Sequence, residues 1–243
     1  MDLQALVKPL LGLVGRASGV IRAHYQGDAP VETTTKADRS PLTQADLDSH
    51  RLLLAGLEEM TPAIPVLSEE SAERIMARRR AWTRFWLVDP LDGTREFLDR
   101  NGEFTVNVAL IERHRPVLGV VMAPLQDCAW VGIPGIESSR YTCDDGGSWR
   151  GEPTQTRPVD PGAAVELLVS RRPMSGELEA CVKRVAAACE EVALVRAGSA
   201  LKFCLLADGR GDLYPRFSPC SEWDVAAGHA VLAAAGGAVL GAT

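Results

Sequence analysis

The sequence predicts an α/β fold, with an α+β N-terminal half and an α/β C-terminal half. Three observations predict it. Apolar residues recur at helical spacing over residues 3–21 and 43–60, and residues 104–110 alternate with the period of a strand. Beyond residue 161, short apolar strands alternate with helical segments. This alternation is typical of folds in which helices cover a sheet.

The first half begins with two predicted helices. The first covers residues 3–21, and Pro9 is expected either to start it or to kink it. The second is expected over residues 43–60. Between them, residues 26–41 are polar and contain two prolines, which indicates a loop.

Strands then dominate up to a predicted boundary. They are expected at 64–67, 85–88, 104–110 and 117–122, the last two as a hairpin. Residues 71–84 carry several arginines and predict a helix or an exposed linker, whereas residues 132–162 are rich in Gly, Pro, Ser and Asp. The latter composition predicts a hairpin loop and then a boundary, which gives halves of 1–160 and 161–243.

The second half is expected to alternate between strands and helices. Strands are predicted at 165–169, 192–195 and 212–214, and helices at 175–190, 199–207 and 223–235. Another strand is expected to begin at Val239.

Composition excludes several classes of protein. The net charge of -6 argues against binding to polymeric nucleic acid, although a local cluster of cations can still bind a small anion. We expect no transmembrane segment, because no apolar run approaches the length of a span. The six cysteines form no C-x-x-C pair and indicate reduced thiols. We expect a cytoplasmic protein and leave peripheral membrane association open.

The most informative segment is Asp89-Pro90-Leu91-Asp92-Gly93-Thr94, which follows an apolar strand. Two acids at the end of a buried strand are costly unless a cation lies between them. The Gly-Thr pair can open a helix whose first N–H groups suit a phosphate. Hard cations and phosphate are therefore the chemistry that this segment predicts.

Three other acids have alternative explanations. Asp46 can be the third residue of a capping box that begins at Thr43. Asp224 can be a first-turn acid on a helix, and Glu69 with Glu70 can form a solvated loop pair. If these carboxylates converge, charges about 4 Å apart repel by roughly 4 kcal/mol at an effective dielectric near 20. Such a cluster holds protons or binds Mg²⁺ or Mn²⁺ rather than Zn²⁺.

Three acidic motifs in this order resemble the inositol monophosphatase superfamily of metal-dependent, lithium-sensitive phosphatases: Ser68-Glu69-Glu70, residues 89–94 and Trp223-Asp224-Val225-Ala226-Ala227-Gly228. Within it, the chain resembles the 3'(2'),5'-bisphosphate nucleotidases of bacterial sulfate assimilation. The finer signals are the segments 36–43, 101–107, 201–204 and 214–217. The resemblance implies the layered fold of these phosphatases. Members normally continue past the helix after Trp223, whereas this chain stops at Thr243.

The resemblance also implies a set of site residues. Two or three Mg²⁺ ions, with Mn²⁺ as a substitute, would be held by Glu69, Asp89, Asp92, Asp224 and the carbonyl of Leu91. Asp46 and Thr94 would orient the attacking water. The substrate would be held by the backbone of Gly93 and Thr94 and by Ser199, Lys202, Arg216 and Asp224.

The activity implied is hydrolysis of the 3'-phosphate of adenosine 3',5'-bisphosphate to AMP and phosphate. The nearest alternative is an inositol monophosphatase or a sugar-bisphosphate phosphatase of the same superfamily. A more distant one is a non-catalytic, metal-binding protein. Lys202 and Arg216 bear on the choice, because they can pair with a second phosphate or be ordinary surface cations. Monomer and homodimer both stay open.

Overall fold

The structure is a computed structural model that describes residues 1–27, 33–35, 41–71, 73–144 and 146–241. Most of the predicted loop at 26–41, and positions 36–40 of the segment 36–43, lie outside the described residues. Inside that predicted loop, however, Thr33–Thr35 forms a short strand, β1, which pairs antiparallel with β2, Pro41–Thr43. The prediction of a loop is therefore wrong for residues 33–35, which form a paired strand. The threonines explain it, since β-branched residues favour extended backbone.

Within the described residues, the main sheet has seven strands in sequential order. They are β3 Val66–Ser68, β4 Arg84–Asp92, β5 Thr105–Glu112, β6 Arg115–Ala123, β7 Cys128–Ile133, β8 Glu137–Cys143 and β9 Trp149–Pro153. Neighbouring strands are antiparallel, except that β3 and β4 are parallel. The first four predicted strands and their hairpin are confirmed.

The segment 132–162 is not the predicted hairpin loop, because it holds β8, β9 and the end of β7. Its polar composition hid the strands. β8 is half-buried along most of its length and β9 is largely exposed, so neither shows a clear apolar alternation. Backbone pairing extends a sheet edge without that signal. The boundary near residue 160 stays a prediction.

Helices cover both faces of this sheet. On one face lie α1, Gln4–Gln26, and α2, Gln44–Met60, packed on residues such as Trp86 and Val88. On the other face lie α6, Leu201–Ala207, and α7, Glu222–Ala234, packed on residues such as Leu87. Successive strand residues point to opposite faces, so both sides of β4 are apolar and buried. The layered α/β architecture is confirmed.

The remaining elements are shorter. α3 covers Glu73–Arg78 and is followed by a 3₁₀ turn, and α4 covers Thr94–Leu98. β10, Ala164–Val169, and β11, Glu191–Arg196, pair in parallel, with α5, Gly176–Ala186, between them. The predicted strand at 212–214 is reduced to one bridge between Leu167 and Leu213. Val239 and Leu240 have no strand pairing within the described residues.

α7 rests on two glycines of the sheet. Gly119 in β6 and Gly132 in β7 are register partners, and both lie directly under the helix. A Cβ atom on Gly119 would lie 2.3 Å from the Ala227 carbonyl oxygen, and one on Gly132 would lie 2.4 Å from Cα of Val231. Only glycine permits this approach, which fixes the height and position of α7 on the sheet.

Gly119→Ala should therefore lift α7 and cost about 1–3 kcal/mol of unfolding free energy, as overpacked cores do. Thermal unfolding should show a loss of about 2–4 °C per kcal/mol for a chain of this size. Gly19→Ala is the matched control, because a Cβ atom there meets nothing within 4 Å. Equal melting temperatures for the two variants would contradict the close seating of α7.

Two further expectations concern the whole chain. The six cysteines all lie in the described part and are free thiols, as predicted. None of the helices in the described residues combines the length and apolar character needed to cross a bilayer.

Candidate active site

One cavity gathers nearly all of the residues that the sequence singled out. Its volume is about 630 Å³, and it is lined by segments from both halves of the chain. Of the eleven predicted site residues, ten line it: Glu69, Asp89, Leu91, Asp92, Gly93, Thr94, Ser199, Lys202, Arg216 and Asp224. The eleventh, Asp46, lies behind the wall and contacts Thr94.

Asp46 and Thr94 form a hydrogen-bonded pair across two elements. Asp46 is the third residue of α2, and its Oδ2 accepts from the N–H of Thr43 at 2.8 Å, as in a capping box. Its other oxygen, Oδ1, accepts from the Thr94 hydroxyl at 3.2 Å. The cap and the site contact coexist because each uses a different oxygen. Asp46 is almost fully buried, so this geometry is shielded from water.

Gly93 makes the turn that begins α4. Its φ of 91° is in the left-handed region, which glycine adopts without penalty. The chain therefore turns directly from β4 into α4, and Thr94 becomes the first residue of that helix. The predicted strand–turn–helix arrangement is confirmed at this point. The N–H groups of Gly93 and Thr94 are the ones predicted to hold a phosphate.

β4 continues further than predicted, through Pro90 to Asp92. The register against β5 shifts between Asp89 and Asp92, because proline cannot donate to the ladder and an irregular stretch results. Ser49 of α2 donates its hydroxyl to the Pro90 carbonyl at 2.8 Å. The bulge is thereby fixed, and the carboxylate of Asp89 accepts from the N–H of Leu91 at 3.1 Å.

The other two acids arrive from neighbouring elements. Glu69 follows β3, which pairs in parallel with β4, and its N–H donates to the Val88 carbonyl at 3.0 Å. Asp224 is the third residue of α7, and its Oδ2 accepts from the N–H of Ser221 at 3.1 Å. The start of α7 is also held by an ion pair between Arg79 and Glu222, which lies in the first turn of this helix.

Burial and mutual repulsion dominate the electrostatics of these carboxylates. The pKa of Asp89 is raised well above its ordinary value, first by burial and then by Glu69, Asp92, Asp224 and Asp46. The pKa of Asp92 is raised to about 6, again by burial and then by Asp224, while Lys202 opposes the shift. Burial and neighbouring negative charge both favour the protonated form of a carboxyl, whereas a cation bound nearby would favour the ionised form.

The described carboxylates are nevertheless not arranged as a complete metal site. Among the described residues, no three His, Cys, Asp or Glu side chains already stand as a group that could hold a metal ion. Asp92 shows why, because its Oδ2 accepts from the N–H of Ala200 at 2.7 Å and from Asn107 at 3.2 Å. The carboxylates nevertheless share one cavity and interact electrostatically.

The sequence left open that Lys202 is an ordinary surface cation. The structure contradicts this alternative, because only 3% of the residue is exposed to solvent. Its ammonium group donates to the carbonyls of Ser199 at 2.7 Å and Ala197 at 3.1 Å. It also lies 5.1 Å from the ring centroid of Tyr214. Burial lowers its pKa to about 8. Ser199, with a φ of 44°, is held in a strained conformation by these contacts.

Arg216 faces the acidic end of the cavity. Its guanidinium donates to the Tyr214 hydroxyl and to the Pro219 carbonyl, both at 3.2 Å. It also lies 3.8 Å from the carboxylate of Asp224. Aromatic side chains from positions near Arg216 in the sequence also line the cavity: Tyr214, Phe217 and Trp223.

Sequence patterns missed several residues around the cavity that contact segments distant in the sequence. Glu103 accepts from the N–H of Gly198 at 2.7 Å and forms a bidentate pair with Arg171. Arg172 and Arg95 line the cavity as additional cations. Glu103 belongs to a segment that the resemblance singled out, which was the one available signal. Nothing in the spacing of the two arginines could reveal that they reach this cavity.

Comparison with known proteins shows which family this chain resembles. Residues 2–243 match the inositol monophosphatase family. The chain is 42% identical over 229 residues to the 3'(2'),5'-bisphosphate nucleotidase CysQ of Escherichia coli strain K12, covering 92% of this chain and 85% of the relative. It is 42% identical over 236 residues to CysQ of Salmonella typhimurium strain LT2, covering 95% and 88%.

Solved structures show the same likeness. The crystal structure of CysQ from Bacteroides thetaiotaomicron, a bacterial member of the inositol monophosphatase family, superimposes with a TM-score of 0.82 at 35% identity. The match covers 96% of this chain and 88% of that one. An inositol monophosphatase from Zymomonas mobilis gives a TM-score of 0.69 at 28% identity, covering 94% and 83%. The fold, the family match and the relatives lead to one conclusion: this chain belongs to the inositol monophosphatase family.

Proposed function

We propose that this chain is a Mg²⁺-dependent phosphomonoesterase that removes the 3'-phosphate of adenosine 3',5'-bisphosphate, giving AMP and phosphate. The observation that carries the proposal is the cavity that unites the four carboxylates predicted as metal ligands with Thr94, the partner of Asp46, and with a set of cations. The CysQ relatives carry the name of this activity at 42–43% identity. Its role would be to clear a by-product of sulfate activation in the cytoplasm.

The carboxylates fit a hard cation by their chemistry. All the side-chain donors are oxygens, and burial followed by mutual repulsion raises the pKa values of Asp89 and Asp92. The family is generally Mg²⁺-dependent. We propose that Glu69, Asp89, Asp92, Asp224 and the Leu91 carbonyl would hold two or three Mg²⁺ ions, with Mn²⁺ as a substitute. Bound Mg²⁺ would lower the pKa of a water and stabilise the leaving oxygen.

The Thr94–Asp46 pair would orient the attacking water. Because the Thr94 hydroxyl donates to Asp46, its lone pairs are left to accept a hydrogen bond from that water and so orient it. The capped N-terminus of α2 keeps the Asp46 carboxylate still. The N–H groups of Gly93 and Thr94 would hold the scissile phosphate, which would lie in line with the water.

The nucleoside part would occupy the far side of the cavity. Tyr214, Phe217 and Trp223 offer aromatic surface for a purine, and Arg216 and Ser199 offer polar contacts. Lys202 would act through the carbonyls that it holds, because its ammonium group is buried against the 197–199 backbone. We propose a small-molecule substrate and no polymeric nucleic-acid partner.

A phosphate-release assay with Mg²⁺ tests the proposal. Adenosine 3',5'-bisphosphate, inositol 1-phosphate and fructose 1,6-bisphosphate should be compared at equal concentration. The expected kcat/KM is highest for the nucleotide by tenfold or more, a difference of about 1.4 kcal/mol. A preference for inositol phosphate or for the sugar bisphosphate would replace the nucleotidase proposal by the alternative of the same family. No turnover of any phosphomonoester would favour a non-catalytic metal-binding protein.

Mg²⁺ should raise the melting temperature, and the rise should depend on pH. A carboxyl whose pKa is raised on folding binds extra protons in the folded state. Without a bound metal ion, the free energy of unfolding therefore falls as the pH rises from the unfolded pKa to the folded pKa. For Asp92 that window runs from 3.8 to about 6. The increase caused by millimolar Mg²⁺ should therefore be larger at pH 7.5 than at pH 5. Thermal unfolding at both values checks this, and an unchanged midpoint at pH 7.5 would contradict it.

A further inference from the structure

Among the residues that the structure describes, four basic side chains line the cavity, and they differ in how many protein groups they already bind. Lys202, Arg216, Arg95 and Arg172 all line it. The ammonium group of Lys202 is bonded to two backbone carbonyls and is almost fully buried. The guanidinium of Arg216 is bonded to Tyr214 and Pro219 and lies close to Asp224. Much of the hydrogen-bonding capacity of these two cations is therefore already committed inside the protein.

Arg172 and Arg95 are different. Both are exposed, and neither side chain has a hydrogen bond or an ion pair with any of the described residues. Arg95 lies on α4 directly after Thr94, so its charge belongs to the end of the cavity where the reacting phosphate would bind. Arg172 comes from the segment between β10 and α5, in the other half of the chain.

The backbone that carries Arg172 is held in place by its neighbour. Arg171 donates from Nε and Nη2 to the two carboxylate oxygens of Glu103, at 2.7 Å and 2.5 Å. The same carboxylate accepts from the N–H of Gly198, which lies beside Ser199. The segment of Arg172 is thus tied to the loop that lines the cavity. A guanidinium presented from a fixed backbone loses less entropy when it binds an anion.

We propose that Arg172 pairs with the phosphate that stays on the product, and that it thereby distinguishes a nucleoside bisphosphate from a monophosphate. The inference rests on the proposed nucleotidase function. A guanidinium matches two phosphate oxygens at once, which gives charge and geometry together. The phosphate of the substrate would then supply the ion-pair partner that Arg172 lacks among the described residues. The sequence-based expectation gave this role to Lys202 and Arg216, and both of them already donate to groups of the protein.

The test compares two substrates that differ only in that phosphate: adenosine 3',5'-bisphosphate and adenosine 3'-monophosphate. Arg172→Ala should lower kcat/KM for the bisphosphate by about 10- to 100-fold, the range expected for a charged hydrogen bond. Most of the loss should appear in KM, and the monophosphate should change less than about twofold, within the scatter of a site away from the reacting group. Arg172→Lys should restore part of the preference.

Two comparison variants make the result decisive. Arg184→Ala removes an exposed arginine of α5 that does not line the cavity, and it should leave both substrates unchanged. Arg95→Ala tests the competing cation. Equal losses on both substrates, no loss, or a bisphosphate-selective loss in Arg95→Ala alone would overturn the role of Arg172. Wild-type protein that releases phosphate from neither nucleotide would instead refute the proposed function.

Discussion

Asp89→Asn is expected to lower kcat by about a thousandfold or more while the fold is preserved. Losing several kcal/mol of metal-derived stabilisation corresponds to this factor, at 1.36 kcal/mol per tenfold. Asp89 is buried among carboxylates that repel it, so the neutral amide relieves repulsion. The amide oxygen can still accept from the N–H of Leu91. Steady-state phosphate release and thermal unfolding of the same preparation give both readouts.

Asp208→Asn is the matched control for that variant. Asp208 is also partly buried with a raised pKa, but it accepts from Trp130 and does not line the cavity. Its kcat should stay near wild type. Asp89→Asn should also lose the Mg²⁺-dependent rise in melting temperature. Near-normal turnover of Asp89→Asn would sink the proposal that this carboxylate holds the metal.

Thr94→Val is expected to lower kcat by about 10²- to 10⁴-fold, the usual contribution of a group that positions a proton transfer. Valine keeps the shape of the side chain and removes the hydroxyl that lies 3.2 Å from Asp46 Oδ1 and 3.3 Å from the Leu91 carbonyl. The Mg²⁺-dependent rise in melting temperature should remain, because the proposed ligands are untouched. Kinetics and thermal unfolding therefore separate this variant from Asp89→Asn.

Thr94→Ser provides the internal check, since it keeps the hydroxyl and removes only a methyl group. Its kcat should lie within about tenfold of wild type, much closer than that of the valine variant. Asp46→Asn should resemble Thr94→Val, because the amide can present a donor to the hydroxyl in place of an acceptor. A valine variant as active as the serine variant would remove the Thr94–Asp46 pair from the chemistry.

Sequence patterns predicted the local parts of the site well. The turn at Gly93, the helix that begins at Thr94 and the capping position of Asp46 are each set by residues a few positions apart. The β8–β9 hairpin was missed because its strands carry no such local pattern. Its residues are only partly buried, and a polar strand at a sheet edge lacks the alternation that reveals a strand.

The burial of Lys202 illustrates what spacing could not reveal. A lysine on a short helix gives no sign that its ammonium group will be covered by the carbonyls of Ala197 and Ser199 and by the ring of Tyr214. The same holds for Glu103, whose partners Arg171 and Gly198 come from the other half of the chain. These contacts arise only when segments that are distant in the sequence pack together.

The sequence by itself determined the α/β alternation, the strand–turn–helix at residues 89–94 and the kinds of side chain available for metal and phosphate. Each depends on neighbours within a turn or a strand, where backbone geometry relates spacing to direction. The tertiary structure alone decided that Asp224 meets β4, because α7 can settle on the sheet only over Gly119 and Gly132. It also decided which cations are engaged and which face the cavity, since long-range packing determines where desolvated charges find partners.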